Sequence, residues 1–402
     1  MLRRHFLQAA TALPLAAHGV RLYAATPGTP RLLVVFLRGA YDAASLLVPI
    51  ASDDYVALRP NIAIARPGSG TGAAHALTPD WGLAPAVAET MLPLYRRGEL
   101  AFVPFAGTDD TSRSHFETQD TIELGASGSG RRDYGSGFMN RLAQVLVARD
   151  AIAFTDPLPL AFRGPLRVPN VALARPARGG VDAHASALIA GMYDGTPLAD
   201  SVREGFAIHD EAMREIAADA PAGLAREMMA ASRQAIAPRG FEAEARRIAH
   251  LMREGHHLGF VDVGGWDTHV RQGGADGYLA TRLAELGRGL AAYADELGPA
   301  WRDSTVVVLS EFGRTFRENG NRGTDHGHGS VYWVLGGGLR GGRIVGEQVR
   351  VGTATLFQQR DYPVLNDYRA LLGGLFARLY GLTPAHSQQV FASVAPRDLG
   401  LV

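Results

Sequence analysis

Residues 31–37 read RLLVVFL and run directly into Arg38-Gly39-Ala40-Tyr41-Asp42. An apolar run of this length without polar alternation predicts a strand buried on both faces, as in a parallel sheet. Runs of the same kind recur at 100–105, 258–263 and 304–309, and helix-period segments lie between or after them, notably 116–124 and 278–297. The alternation predicts an α/β fold, a doubly wound and mostly parallel sheet with helices on both faces. From about Asp182 to His257 the chain is Ala-rich, charged and helical in period, and no Pro, Gly and Ser linker sets it apart. It is expected to be a helical insertion around 182–257 within one domain spanning 26–402.

The chain has 402 residues, 47% hydrophobic and 20% charged, a globular composition rather than a disordered one. Its 40 basic and 40 acidic residues cancel, so it lacks the positive field that a nucleic-acid or polybasic membrane binder needs. Cysteine is absent, which excludes disulfides, thiolate zinc sites, iron-sulfur clusters and cysteine nucleophiles. Lysine is absent too, so all 40 basic residues are arginine and Schiff-base or P-loop lysine chemistry is excluded. Anion recognition falls to arginine, histidine, backbone N–H groups or metal.

Residues 1–25 carry Arg3-Arg4-His5-Phe6-Leu7, a mildly apolar stretch and small residues ending at Ala24-Ala25. This looks like a twin-arginine signal peptide, which implies the Tat export machinery as a partner and a periplasmic or secreted mature chain. No other stretch offers the roughly 18 apolar residues of a membrane span.

Ligands of open α/β sheets bind beyond the carboxyl ends of the strands, so the residues there carry the functional reading. The first strand delivers Asp42, a position where an aspartate commonly caps a helix. After 100–105 come Thr111-Ser112-Arg113-Ser114-His115-Phe116. Ser114 either caps the following helix, with Glu117 completing a capping box, or is a nucleophile at a helix N-terminus that favours anions, and the two roles are compatible. Thr111 and Ser112 are rival hydroxyls. His115, Arg113 and Arg314 adjoin these groups as candidate catalytic partners. After 258–263 come Gly264-Gly265-Trp266-Asp267-Thr268-His269, where Asp-x-His on a loop can converge on one ion. After 304–309 come Glu311-Phe312-Gly313-Arg314, then Asp325-His326-Gly327-His328 among glycines, the strongest local metal signal. His328 directly precedes the apolar run 331–335, so that strand is expected to run antiparallel, starting from the active edge. Together Asp42, Ser114, Asp267, His269, Glu311, Asp325, His326 and His328 suffice for a two-metal site around a hydroxyl.

The segments LVVFLRGAYDAASLLVP (33–49), SRSHF (112–116), GGWDTH (264–269), SEFGRT (310–315), GTDHGHG (323–329) and 361–369 resemble, in order and over nearly the whole mature chain, domain-of-unknown-function family 1501. These exported bacterial proteins are grouped with the alkaline phosphatase and sulfatase superfamily. The resemblance implies Asp42 as a first-strand metal carboxylate, Ser114 as nucleophile, Asp267, His269 and His328 on the metal that activates water, and Asp42, Glu311 and Asp325 or His326 on a second. It departs from the phosphatase pattern at Glu311-Phe312, where Asp-His is usual, and in the short Asp267 to His269 spacing. No Ser-x-Pro-x-Arg formylglycine motif is present.

Several other features take structural readings. Residues 336–342, Gly-rich but without lysine, are expected to form a hairpin turn. His256 and His257 are expected at a helix C-terminus or in solvent, and Trp266, Phe312 and Trp333 either line the pocket wall or, as aromatic residues beside strands more often do, sit in the core. Arg38, Arg113 and Arg314 are candidates for bidentate anion binding or for pairing within the protein.

The expected activity is a metal-dependent hydrolase of a phosphate, phosphonate or sulfate ester, with one or two divalent ions (zinc, manganese or calcium) and a small anionic ester as substrate. The alternative is a non-catalytic periplasmic binding or assembly protein on the same fold. A metal-free hydrolase using Ser114 and a nearby histidine is weakened by the absence of a Gly-x-Ser-x-Gly elbow.

Overall fold

The computed structural model describes residues 29–130, 132–148, 150–173 and 222–402. The expected signal peptide and residues 182–221 of the expected insertion lie outside these.

The run that opens the sheet is β1 (Arg31–Leu37), buried along its whole length. Its side chains alternate between two cores: Leu33, Val35 and Leu37 enter one, and Leu32, Val34 and Phe36 the other. This two-sided burial is the physical cause of a strand without polar alternation. The other principal strands are β5 (Leu100–Gly107), β6 (Ala151–Ala153), β7 (Leu258–Val263), β8 (Ser304–Ser310) and β9 (Ser330–Leu335). With short β10 (Arg343–Ile344) and β11 (Asn366–Asp367) they form an eight-stranded sheet ordered β10-β5-β9-β8-β1-β7-β6, β11 also pairing with β5. A small second sheet joins β2 (Leu47–Val48), β4 (Gly82–Leu83) and β3 (His75–Ala76).

In the large sheet β1 lies parallel to β7 and β8. β9 is antiparallel to both β5 and β8, as its position after His328 predicts. The carboxyl ends of β1, β5, β7 and β8 therefore share one edge with the start of β9. Leu37 is in register with Val263 and Ser310, and Ala106 with Ser330 beyond a register shift after Pro104.

Helices cover both faces. Over the first core lie α2 (Pro85–Arg96), α6 (Phe241–Glu254) and α7 (Tyr278–Leu297), which contribute Met91, Ile248, Met252, Leu283 and Leu290. Over the second lie α4 (Phe138–Val145), α8 (Tyr368–Tyr380) and α9 (Pro384–Val390), through Phe138, Leu142, Leu372, Phe376 and Val390. Short α1 (Asp53–Leu58) follows β2, α3 (His115–Leu124) follows β5, and α5 (Ala222–Ala231) precedes α6. The described end of the expected insertion is thus helical, and α6 belongs to the sheet's own helical layer.

Residues 336–342 correct one expectation. They do not close a hairpin, because β9 and β10 do not pair; each flanks β5 on an opposite side. The turn crosses the start of β5, with Gly341 N donating to Gly98 O and Gly342 N to Leu100 O, both at 2.8 Å. That is the edge remote from the metal motifs. His256 and His257 lie at that same edge, where His256 Nδ1 contacts Asp150 O at 2.9 Å and His257 pairs with the Asp150 carboxylate. Trp266 and Trp333 are fully buried core residues. Among the described residues no helix is long and apolar enough to cross a membrane.

Candidate metal centre

Four chain segments meet at the carboxyl edge. After β1, Gly39 has φ +117°, and a Cβ there would stand 2.7 Å from Asp267 N, so only glycine allows the loop after β7 to lie this close. Gly39 N also donates to Glu311 Oε1 at 2.7 Å. Gly323 performs a similar task for the last segment, since its Cβ would stand 2.3 Å from the His269 carbonyl. Thr324 N donates to Thr268 O at 3.1 Å, and Thr315 N to Asp325 O at 2.9 Å. These contacts fix Asp267, His269 and His326 together, and His115 joins them through its own ring, which meets Glu311 and His326.

The ligand atoms of His115, Asp267 and His326 lie within 4.8 Å of one another. His326 Nε2 is 2.9 Å from His115 Nε2 and 3.0 Å from His269 Nε2. Asp267 Oδ1 is 2.9 Å from His269 Nε2 and 3.4 Å from His326 Nε2, and Oδ2 is 3.5 Å from His115 Nε2. The opposite nitrogen of each ring is engaged. His326 Nδ1 donates to the carbonyl of Arg113 at 2.9 Å, while His115 Nδ1 meets Glu311 Oε1 at 2.8 Å and His269 Nδ1 meets Asp325 Oδ1 at 3.2 Å. An acceptor at every Nδ1 holds a proton there and leaves the Nε2 atoms facing one another, the nitrogens through which the neutral rings would bind a metal.

The donor set passes a second test of fit. Asp267 is 2% exposed, and Oδ2 is buried with no hydrogen-bond partner. Oδ1 takes a 2.5 Å bond from Arg314 NH1. A buried carboxylate oxygen without a donor is costly unless a cation meets it. Burial raises the Asp267 carboxyl, but the Arg314 charge and the neighbouring rings of His115, His269 and His326 hold it well below the usual range. Burial lowers His115, yet Asp267 and Glu311 outweigh it and bring the imidazole up to about 9. His269 is raised, against burial, chiefly by its bonds to Asp267 and Asp325, whereas burial leads the lowering of His326. Asp325 is drawn down to about 2, first by its bond with His269, against partial burial.

Other expected site residues fall around this cluster. Glu311 is fully buried behind His115 and also accepts from Gln119 Nε2 and Ser310 Oγ, both at 2.9 Å. Burial raises its carboxyl, and His115 and Gln119 bring it below its ordinary value. Its oxygens hold a ring in place rather than converging with the Nε2 atoms. Asp325 holds His269 in the same way and takes a 2.9 Å bond from Asn319 Nδ2. Asp42 is engaged elsewhere: Arg59 binds both its oxygens, at 2.5 and 3.1 Å, and Ser45 Oγ and Gln272 Nε2 each donate at 2.7 Å. His328 packs its ring 4.9 Å from Phe357 and belongs to no ligand group among the described residues. Phe312 is buried and forms a wall, 4.9 Å from the His115 ring and 5.3 Å from that of His326.

Ser114 is the N-cap of α3, its Oγ accepting from Glu117 N at 3.5 Å. The three arginines considered for anion binding all pair within the protein. Arg38 reaches Asp262 at 2.6 Å and Glu123 at 2.9 Å, Arg314 holds Asp267, and Arg113 reaches Asp361 at 2.7 Å. Sequence reasoning missed Arg59, Gln119, Gln272 and Arg360. Polar residues of these types on helices and loops carry no local signal of a buried role.

A doubly wound α/β sheet with imidazoles and a buried carboxylate gathered at its carboxyl edge defines the class, an α/β protein with a candidate metal centre. The chain belongs to the DUF1501 family, described as protein of unknown function, whose model matches residues 95–394. No curated protein matches the chain. Among solved structures, it is similar to Ps i-CgsB in complex with k-i-k-neocarrahexaose, at 9% identity and TM-score 0.40, over 90% of this chain and 74% of that one. It is also similar to a protein in the alkaline phosphatase superfamily from Vibrio parahaemolyticus, at 11% identity and TM-score 0.35, over 78% of this chain and 62% of that one. Likenesses this loose do not bear on the site.

Proposed function

We propose that the protein is an exported metal-dependent hydrolase of a phosphate, phosphonate or sulfate ester, with a single metal ion held by His115, Asp267 and His326, and by His269 beside them. The observation that carries this reading is the gathering of three Nε2 atoms, each ring held from behind, around the buried Asp267 carboxylate, whose Oδ2 has no hydrogen-bond partner.

One ion is favoured over two by the ligand set: His115, Asp267 and His326 form one group with His269 beside it, and Asp42, which a second ion would need, is already held by Arg59. A nitrogen-rich donor set suits zinc, manganese or iron and disfavours calcium, which takes oxygen ligands.

Bound there, the ion would act as a Lewis acid and ready a hydroxyl or water for attack. Ser114 is the hydroxyl we assign as nucleophile, because it caps α3 beside His115 and the helix dipole favours charge developing there. Its attack would form a bond from Oγ to phosphorus or sulfur, break the ester bond and pass its proton to the departing alcohol, and water would then cleave the seryl ester. Glu311, Asp325 and the Arg113 carbonyl orient the three rings throughout. Export rests on the twin arginines at Arg3 and Arg4.

The second reading, a non-catalytic binding or assembly protein, is favoured by the internal pairing of Arg38 and Arg314, which leaves neither free for a substrate. Elemental mass spectrometry and an ester panel separate the two. We expect about one transition-metal ion per chain, lost in Asp267→Ala, and turnover that Ser114→Ala lowers by about 10²-fold or more with metal retained. Metal without turnover across the panel favours the second reading, and no metal after reloading overturns the metal centre.

A further inference from the structure

His326 is bracketed by two arginines. Its Nδ1 donates to the backbone carbonyl of Arg113, and its own carbonyl accepts from Arg360 NH2, both at 2.9 Å. The two guanidinium groups meet on one atom, Asp361 Oδ2, reached by Arg113 Nε and NH2 at 3.1 and 2.7 Å and by Arg360 NH1 at 3.1 Å. Asp361 is fully buried, while the arginine side chains keep 24% and 39% of their surface in solvent. The remaining partner of Arg113 is neutral, Gln358 Oε1 at 2.8 Å. Asp110 is turned to the Ser112 amide at 2.8 Å and to Arg132 at 3.6 Å. Two cations thus share one carboxylate where both still face water, leaving one positive charge in excess beside a buried shell in which carboxylates prevail. Arg113 NH1 and Arg360 Nε take no part in these bonds, so each planar fork keeps N–H donors after being fixed in orientation.

We propose that Arg113 and Arg360 form the subsite that binds the anionic group of the substrate, a tetrahedral phosphate or sulfate oxyanion. Asp361 positions the pair without neutralising it, and the N-terminus of α3, next to Arg113 in the chain, adds its dipole. That the oxyanion belongs to a substrate rests on the metallohydrolase reading; that the pair binds it does not.

The test is calorimetric titration of inorganic phosphate and of sulfate into the metal-loaded protein and into the same protein after chelation. Arg360→Gln and Arg113→Gln are each expected to weaken binding about tenfold or more, the loss of one charge-assisted contact, in both preparations. Arg360→Lys should recover part of the loss, and metal content in the Arg360 variants should equal that of the parent. If Arg113→Gln does not fold, because it leaves Asp361 underpaired, the Arg360 variants decide. Binding that vanishes on chelation but ignores both substitutions puts the anion on the metal alone and overturns the subsite. Absence of anion binding overturns it as well. A chain that holds no metal yet binds phosphate through Arg360 overturns the metallohydrolase reading and keeps the subsite.

Discussion

Arg59 decides how Asp42 is used. Its side chain is wholly buried, donates twice to Asp42 and also reaches the carbonyls of Phe316 at 2.6 Å and Thr315 at 3.1 Å. Removing one partner of such a pair strands the other charge, so Arg59→Met is expected to cost about 3–5 kcal/mol of stability in urea melts. Metal content should be unchanged, because Asp42 does not join the imidazoles. Asp42→Leu combined with Arg59→Met should regain much of the loss, since an apolar pair is commonly as stable as a buried ionic one. A loss below about 1 kcal/mol in the single variant would mean that water screens the pair. The sequence marks Asp42 as a carboxylate at a strand end, but its partner arrives only after α1 and nothing nearby announces it. His115 shows the same limit. It stands next to Ser114 in the motif, yet spacing alone does not say which ring nitrogen faces an ion and which faces Glu311.

At the scale of elements, the strands are legible because burial on both faces leaves its mark in consecutive residues. β7 and α7 keep the bounds their periodicity suggests, β8 runs one residue past its apolar run, and β5 runs on to Gly107. The direction of β9 is deduced from function rather than from propensity, by starting the strand at the active edge, and there it is His326 rather than His328 that joins the ligand group. The turn at 336–342 is not legible, because which strand it leads to depends on β5, distant in the chain. The loops between strands and helices make the site, and their tolerance is set by backbone contact. Gly39→Ala would require a side chain at φ +117° and a Cβ 2.7 Å from the backbone nitrogen of Asp267. The loop from 264 to 269 must then shift, and since sites tolerate misplacement of only about 0.5 Å, metal affinity should fall about tenfold or more with helical content preserved. Zinc titration beside circular dichroism checks this, and unchanged affinity would show that the loop after β7 positions Asp267 without β1.

Across the whole molecule, the centre exists only when the sheet is formed. His115 follows β5, Asp267 and His269 follow β7, and His326 lies between β8 and β9, so the unfolded chain scatters these ligands and has little means of holding an ion. Binding to the folded state alone stabilises it by RT ln(1 + [L]/Kd), about 2.7 kcal/mol at a metal concentration 100 times Kd. For a chain of this size that is a rise of about 3 °C in Tm, since the unfolding entropy is roughly 2.1 cal/mol/K per residue. Chelation should therefore lower Tm by about that much, and zinc or manganese should restore it in proportion to the logarithm of concentration. Calcium and magnesium should not, because the site offers imidazole nitrogens where those ions take oxygen. Asp267→Ala should abolish the dependence, whereas Asp42→Asn should lower Tm by loosening the Arg59 pair and leave the metal response in place. Calorimetric scans of the parent chain and of the two variants, with and without each ion, check all of this. A response to calcium equal to that to zinc would mean that carboxylates, with Asp42 and Glu311 among them, rather than the three imidazoles, hold the ion.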